Sequence, residues 1–143
     1  MGSDNANVRA LRRAYDRWSE SRGRSIDEWV AIAAPKFRLR SSADQHVEQG
    51  RFGSAPGGPE GMRTYLSDLV DHWIMERHDV DRFISDGDSV AAVIRALWRN
   101  RATNKRIACD VVDIWTFDGG QATSLLELFD TAAMIEAATP DAA

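Results

Sequence analysis

The sequence has few of the features that mark secreted, membrane-spanning or nucleic-acid-binding proteins. Its only cysteine, Cys109, cannot form an intrachain disulfide, and its position within a predicted strand indicates a buried structural thiol. No apolar run approaches the length of a membrane span, and no signal peptide is visible. The formal net charge is −4 and the arginines are scattered, which argues against a nucleic-acid partner. We expect a cytoplasmic protein that binds neither membranes nor nucleic acid.

Metal and cofactor motifs are also missing from the sequence. The three histidines, His46, His72 and His78, do not have the H-E-x-x-H spacing or a comparable ligand spacing. The glycine-rich segment at 52–58 lacks the G-x-x-x-x-G-K-[ST] pattern of a phosphate-binding loop. We therefore expect no metal site and no cofactor.

Proline is absent from residues 83–130, and this stretch has the pattern of three β-strands joined by two turns. The predicted strands cover 89–99, 106–117 and 121–130 and are rich in Val, Ile, Trp and Phe. The turn Asp118-Gly119-Gly120 suits a three-residue hairpin loop that pairs Phe117 with Gln121. These strands predict the middle of an antiparallel sheet.

Helical patterns precede these strands. An amphipathic helix is predicted over 5–22 from apolar residues that recur at helical spacing. A capping box at 25–28 begins a second helix, which Pro35 is expected to end, and Pro59 begins a third. The predicted apolar side of the third helix consists of Met62, Tyr65, Leu66, Leu69, Trp73 and Ile74.

Shorter elements complete the predicted order. Strands are expected at 36–41 and 77–84, a loop at 42–58, and a last helix at 131–138. Helices gathered on one side of a mostly antiparallel sheet indicate an α+β fold, here as a single domain over 1–143. The segments predicted to be frayed are 1–4 and 139–143.

The alternation of side chains places three charges within largely apolar surfaces. Successive strand residues face opposite sides of a sheet, so odd numbering puts Arg95, Asp113 and Glu127 on one face. Two interpretations are open: a polar triad inside an apolar cavity, or a weak network on the surface. If the odd face is the inner one, the other face would be buried in a two-fold homodimer. The residues predicted to form that outer face are Ile94, Trp98, Val112, Ile114, Leu126 and Leu128.

Several short motifs, in their order and spacing, resemble those of the nuclear transport factor two superfamily. The motifs are Tyr15-Asp16-Arg17-Trp18, Gly58-Pro59-Glu60-Gly61, Ile84-Ser85-Asp86-Gly87-Asp88-Ser89-Val90, Ala102-Thr103-Asn104-Lys105-Arg106, Trp115-Thr116-Phe117-Asp118-Gly119-Gly120 and Leu128-Phe129-Asp130-Thr131-Ala132. The resemblance covers nearly all of the chain between residues 8 and 136. It implies a cone-shaped α+β barrel, in which a curved, mostly antiparallel sheet wraps around three helices from the N-terminal half. It also implies a ligand pocket inside the cone and a dimer through the outer sheet face.

The catalytic residues of this superfamily carry over only in part. Its members include ketosteroid isomerases, SnoaL-like polyketide cyclases, limonene epoxide hydrolase and scytalone dehydratase. Asp113 matches the oxyanion-stabilising aspartate of the ketosteroid isomerases, but Arg40 stands in the region of their catalytic base. Arg95 and Glu127 match parts of the epoxide hydrolase pattern, in which Leu97 replaces an aspartate. None of the four catalytic sets is complete.

The resemblance implies a cofactor-independent enzyme of the isomerase, cyclase or dehydratase type that acts on a small apolar carbonyl compound. The alternative is a non-catalytic domain of the same fold that binds a hydrophobic ligand or serves as a dimeric interaction domain. In the enzyme, Asp113 or Glu127 is the predicted acid/base and Arg95 stabilises an anion. The residues predicted to line the pocket are Tyr15, Trp18, Trp29, Val93, Leu97, Trp115, Leu125, Phe129 and His46.

Overall fold

Residues 5–46 and 57–142, which the computed structural model describes, form four α-helices and one curved, open sheet of five strands. The predicted α+β fold is therefore confirmed. The helices are α1 (Ala6–Glu20), α2 (Ile26–Ile32), α3 (Gly58–His72) and α4 (Thr131–Ala138). The strands are β1 (Ala33–Ser41), β2 (Trp73–Asp86), β3 (Ser89–Asn100), β4 (Arg106–Asp118) and β5 (Gln121–Leu128), and a short 3-10 helix (Ser42–His46) follows β1.

The strands lie in the order β1-β5-β4-β3-β2, so β4 is central and β1 and β2 are the edges. Strand β1 runs parallel to β5, and the other neighbouring pairs are antiparallel. Helix α1 packs on β2, and α3 packs on α2, β1 and β2. The buried apolar side chains therefore lie mainly between the helices and one face of the sheet. In the described chain the longest helices have 15 residues, and none has the length and hydropathy of a membrane span.

Helix α1 begins and ends through local interactions that the sequence determines. The Asn5 side chain accepts a hydrogen bond from the Val8 backbone N–H at 2.8 Å. At the other end the Gly23 N–H donates to the Trp18 carbonyl at 3.0 Å, and the φ of Gly23 is 84°. A Cβ at Gly23 would lie 2.9 Å from a Val70 methyl group, so both the backbone angle and the packing require glycine. The buried residues of α1 are Val8, Leu11, Ala14, Tyr15 and Trp18.

Two predicted boundaries are wrong. Helix α3 ends at His72, and Trp73 and Ile74 begin β2 instead of extending the apolar side of the helix. Trp73 has an extended backbone and pairs with Asn100 of β3. The helical pattern did not reveal this, because a buried tryptophan fits either conformation. Pro35 lies inside β1, where an edge strand tolerates it, and does not end α2.

The loop between β4 and β5 is shorter than predicted. Gly119 and Gly120 both have positive φ, 59° and 83°, as a two-residue type I′ turn requires. Asp118 pairs with Gln121, so the predicted pairing of Phe117 with Gln121 is wrong. The two glycines alone make the turn, and Asp118 belongs to the strand.

A β-bulge at Thr123 then shifts the register of β5 by one residue. The pairs on either side of it are Phe117–Ala122 and Thr116–Ser124. Beyond the bulge Glu127 lies directly opposite Asp113, whereas the predicted hairpin placed it opposite Val111. Directly opposed residues have Cβ atoms about 4.5–5.5 Å apart, so the two acids are immediate neighbours.

The pairing of β3 with β4 overturns the predicted position of Arg95. Arg99 lies opposite Arg106, so the even-numbered residues of β3 share a face with the odd-numbered residues of β4. Arg95 therefore lies on the outer face, where 67% of its side chain is exposed and it donates to Asp81 at 3.0 Å. The alternation within β3 could not predict which of its faces is the inner one, because the turn between the strands determines which residues of β3 and β4 share a face.

The same parity places four other residues of β3 on the face opposite to the predicted one. Val93 and Leu97 lie on the outer face, and Ile94 and Trp98 lie on the inner face. The predicted outer apolar face is therefore wrong at Ile94 and Trp98, which belong to the buried core. The remaining members, which do lie on the outer face, are Val112, Ile114, Leu126 and Leu128.

We predict that Asn100 stabilises the turn between β3 and β4. Its buried side-chain oxygen accepts hydrogen bonds from the backbone N–H groups of Ala102 and Thr103, each at 3.0 Å. Asn100→Ala removes this acceptor and should lower the free energy of unfolding by about 1–3 kcal/mol in urea denaturation. Asn100→Asp keeps an acceptor oxygen and should lose clearly less. Equal losses in the two variants would contradict this role.

Candidate active site

A cavity lies between the helices and the inner face of the sheet. Its volume is about 80 Å³, counted over the positions that the centres of water molecules can occupy. This is room for several waters or for a small ligand. All five tryptophans of the sequence contribute to its wall. The lining residues are Tyr15, Trp18, Trp29, Met62, Tyr65, Leu66, Leu69, Trp73, His78, Trp98, Ile107, Cys109, Val111, Asp113, Trp115, Leu125, Glu127, Phe129 and Met134.

Asp113 is held in the cavity wall by a tyrosine of α1. The Tyr15 hydroxyl donates to Asp113 Oδ2 at 2.5 Å, and Trp115 Nε1 donates to the Tyr15 oxygen at 2.9 Å. Asp113 and Trp115 are two residues apart on β4, so their side chains share the inner face. All three residues are almost fully buried. The helical stripe of α1 and the alternation of β4 thus combine into one chain of hydrogen bonds.

Glu127 is held in a similar way by α3. The Tyr65 hydroxyl donates to Glu127 Oε1 at 2.5 Å. In the sheet Glu127 lies between Asp113 of β4 and Ser41 of β1, and the Ser41 side chain also hydrogen-bonds Tyr65. A row of polar groups therefore crosses three adjacent strands below the apolar part of the cavity.

Burial raises the pKa of Asp113 well above its ordinary value. The charge of Glu127 raises this pKa further, as does the hydrogen bond between the two acids, while the Tyr15 hydroxyl lowers it to a smaller extent. Asp113 Oδ1 is buried and accepts no hydrogen bond from a donor among the described residues. Burial and the neighbouring acid thus favour the neutral form of Asp113 more than for an exposed aspartate.

Burial also raises the pKa of Tyr15 and the pKa of Tyr65. The charge of the neighbouring acid acts in the same direction: Asp113 beside Tyr15, and Glu127 beside Tyr65. Both hydroxyl groups therefore keep their protons at neutral pH and remain hydrogen-bond donors.

His78 is a residue of this site that the sequence did not single out. It lies on β2 opposite Ala96 and faces inward, with its ring parallel to that of Tyr15 at 6.0 Å and edge-on to Trp98 at 6.3 Å. Burial lowers the pKa of His78 to about 4, so the imidazole is neutral at physiological pH. The charge of Asp79 and a hydrogen bond to the backbone of His78 itself raise this pKa to a smaller extent. The alternation of side chains along β2 places His78 on one face of the strand. Which face is the inner one depends on the pairing of β2 with β3, and the sequence alone did not determine that pairing.

Trp29 supplies another buried polar atom without a partner. Its indole ring stacks on Trp115 at 5.4 Å, with the planes 4° apart, and meets Tyr15 edge-on at 4.8 Å. No described residue accepts a hydrogen bond from its Nε1. An unsatisfied buried donor lowers the stability of the fold by roughly 1–3 kcal/mol.

Most of the predicted pocket residues border one cavity. Tyr15, Trp18, Trp29, Trp115, Leu125 and Phe129 line it together with Asp113 and Glu127. Arg95, Val93 and Leu97 do not, because they lie on the outer face. His46 ends the 3-10 helix, and its side chain lies outside the described part of the structure. Among the described residues no three metal-ligating side chains form a group.

Similar folds occur among solved structures. An NTF2-like protein of unknown function from Burkholderia pseudomallei K96243 is 21% identical, with a TM-score of 0.82 over 94% of this chain and 98% of that one. TerC, co-crystallised with polyporic acid, is 21% identical, with a TM-score of 0.77 over 94% and 98%. An LEH-like epoxide hydrolase from M. tuberculosis is 16% identical, with a TM-score of 0.67 over 92% and 88%. The TM-scores show a shared fold.

A search of the curated proteins finds no match to the sequence. A domain model of the SnoaL-like family, in contrast, matches residues 11–125, from the buried face of α1 to the middle of β5. The matched segment contains Tyr15, Tyr65 and Asp113 and ends just before Glu127. This match covers most of the sequence, so the chain belongs to the SnoaL-like domain family, and its fold is the one seen in the NTF2-like protein.

Proposed function

We propose that this protein is a cofactor-independent enzyme that carries out acid/base chemistry on a small apolar carbonyl compound inside the cavity. The observation that carries the proposal is the pair of adjacent carboxyl groups, Asp113 and Glu127, each held by a tyrosine hydroxyl. A buried acid with a raised pKa beside a second acid can supply both the proton donor and the proton acceptor that such chemistry requires. The SnoaL-like family match and the epoxide hydrolase with a similar fold make an enzyme plausible.

In the proposed reaction Asp113 is the acid and Glu127 is the base. The neutral Asp113 donates its proton to the carbonyl oxygen, while the Glu127 carboxylate removes a proton from the adjacent carbon. The product of this step is an enol. Asp113 is left ionised, and Glu127 carries the proton taken from the carbon. Return of a proton to a different carbon gives isomerisation, and loss of a β-hydroxyl group as water gives dehydration.

Tyr15 and Tyr65 take the charge-stabilising role that the sequence suggested for Arg95. Negative charge that develops on Asp113 is stabilised by the hydrogen bond from Tyr15, and Tyr65 does the same for Glu127. Arg95 is paired with Asp81 on the opposite face of the sheet and has no part in this scheme. Neutral donors suit an apolar cavity, since they do not bring a further charge into it.

The alternative is a non-catalytic domain that binds a hydrophobic ligand in the same cavity. TerC, which has a similar fold, was co-crystallised with polyporic acid, and the aromatic wall here suits a flat apolar molecule. Binding without proton transfer would favour this alternative. The two functions therefore differ in one measurable step.

We predict that the protein accelerates exchange of the α-hydrogens of 2-tetralone with D2O, because this exchange needs only an acid and a base at a ketone. Asp113→Asn should slow the exchange by roughly 10²–10⁴-fold, since it keeps the shape of the side chain and removes its proton. The exchange is followed by proton NMR at neutral pH.

Arg95→Gln is the matched control and should exchange at the rate of the unaltered protein. Equal rates for Asp113→Asn and the unaltered protein would contradict the acid/base assignment. Binding of 2-tetralone without any exchange above the buffer rate would establish the non-catalytic alternative for this class of ketone.

We predict that Asp113→Asn also stabilises the fold at neutral pH. The native pKa of Asp113 is raised above its unfolded value of about 3.9, so between these two values the native state binds more protons than the unfolded state. The free energy of unfolding therefore falls as the pH rises through this interval. The neutral amide of Asp113→Asn removes this loss, so the free energy of unfolding of the variant should be about 0.5–2 kcal/mol higher at pH 7. Urea denaturation should show the gain at pH 7 and little of it at pH 3.5; an equal gain at both would contradict the raised pKa.

We further propose that the outer face of the sheet pairs with a second copy of the chain. Val112, Ile114, Leu126 and Leu128 form an apolar surface there, and Leu128 is 39% exposed. Sedimentation velocity at micromolar concentration should give twice the chain mass. Ile114→Lys should give the monomer mass, and the α1 surface variant Arg17→Gln should not. A soluble monomer of the unaltered protein would refute the pairing.

A further inference from the structure

We infer that Ser41 is a positioning residue of the proposed reaction, which acts on Glu127 through the hydroxyl group of Tyr65. The inference rests on the proposed function, because it assigns a further residue to the acid/base pair. Ser41 is the last residue of β1, and its side chain is buried. Its role is to hold the Tyr65 hydroxyl toward Glu127 and to strengthen the hydrogen bond between them.

The sheet places Ser41 directly beside Glu127. The two residues are partners in the parallel pairing of β1 with β5, so their side chains lie on the same face. Tyr65 reaches both residues from α3, which packs on β1. Its hydroxyl donates to Glu127 Oε1 at 2.5 Å and also hydrogen-bonds the Ser41 side chain. Two strands and a helix thus meet at one phenol oxygen.

The direction of each hydrogen bond follows from the number of protons available. A phenol has one proton, and Tyr65 donates it to Glu127, so Tyr65 accepts from Ser41. Ser41 Oγ accepts from the Ala43 N–H at 3.0 Å, which leaves the proton of the serine hydroxyl for Tyr65. Burial, the largest influence, raises the pKa of Tyr65, and the hydrogen bond from Ser41 lowers it, as a donor to the phenol oxygen should.

The 3-10 helix that follows β1 fixes Ser41 before any ligand binds. The hydrogen bond from Ala43 closes a turn of the kind that serine side chains form with the backbone two residues further on. The backbone N–H of Ser41 donates to Asp44 Oδ2 at 3.3 Å, so a second contact holds the same residue. A donor that is already oriented stabilises charge without reorganisation during the reaction.

The arrangement matches the one at Asp113. There Trp115 Nε1 donates to the Tyr15 oxygen, and Tyr15 donates to Asp113. Each acid therefore accepts from a tyrosine that itself accepts from a buried donor. Hydrogen bonds in such chains polarise one another, which strengthens each of them by about 10–30%. A stronger hydrogen bond from Tyr65 favours the ionised carboxylate that a base requires.

The pH dependence of the exchange reaction reports this effect, because the base must be ionised. The titratable side chains around Glu127 and Ser41 are Tyr15, Tyr65, His78, Cys109 and Asp113 in the cavity wall and Asp44 in the 3-10 helix. Burial raises the pKa of both tyrosines and of Cys109, so none of the three titrates at acid pH. The variants below leave His78, with its pKa of about 4, and Asp44 in place. A difference between variants at acid pH therefore belongs to the pair of acids.

The test is the pH profile of α-hydrogen exchange in 2-tetralone, followed by proton NMR. Ser41→Ala removes the donor to Tyr65, so the midpoint of the acidic limb should move to higher pH by about 0.3–0.6 unit. Ser41→Thr keeps the hydroxyl group and should leave the midpoint unchanged. Tyr65→Phe removes the whole hydrogen bond to Glu127 and should move the midpoint further, by about 1–2 units.

Two comparisons separate this role from a role in packing. Ser42→Ala removes the neighbouring hydroxyl group, which donates to the Phe129 carbonyl and accepts from the Phe129 N–H. It should lower the free energy of unfolding without moving the midpoint. In the Tyr65→Phe background, Ser41→Ala should produce no further movement, because its effect passes through Tyr65.

An unchanged midpoint in Ser41→Ala, or an equal movement in the Tyr65→Phe background, would overturn the inference. The loss of α-hydrogen exchange in Asp113→Asn would still support the proposed function in either case. If the unaltered protein does not exchange 2-tetralone above the buffer rate, the proposed function fails and this inference fails with it.

Discussion

Asp113 and Glu127 face each other across the central pair of strands, and the surroundings limit the unfavourable energy of that contact. Two ionised carboxylates at this separation in an apolar cavity would repel strongly. The raised pKa of Asp113 favours its neutral form, and a tyrosine hydroxyl donates to each of the two acids. Helices α1 and α3 each supply one of these hydroxyl groups, Tyr15 from α1 and Tyr65 from α3.

The same contact connects the stability of the fold with the proposed function. A cavity bounded by five tryptophans is favourable for folding, whereas a buried acid with a raised pKa is not. The buried Nε1 of Trp29, which has no hydrogen-bond partner among the described residues, also lowers the stability of the fold. Sites with such local conflicts are where binding and catalysis are expected, because a ligand can relieve them.

Much of the fold could be predicted from the sequence, because the strands at 89–130 have strong composition and clear turn signals. The sequence also predicted that Asp113 and Glu127 share a face, since both are charges within apolar strands, and the two residues do line one cavity. Arg95 was misplaced for a physical reason: both faces of β3 are apolar, so only the turn to β4 decides which face is inner. His78 escaped notice because the inner face of β2 depends on the same pairing.

The bulge at Thr123 has a consequence for the uniqueness of the native state. Without the bulge, the register set by the two-glycine turn would continue along β5. Leu126 would then lie opposite Asp113, and Glu127 would point to the outer face. Strand β5 has leucines on both faces, so its hydrophobic pattern distinguishes the two arrangements only weakly. The Thr123 hydroxyl donates to the Thr116 carbonyl at 3.2 Å and holds the bulged arrangement. One hydrogen bond at a strand irregularity thus helps to select between two alternative registers, only one of which brings the acids together.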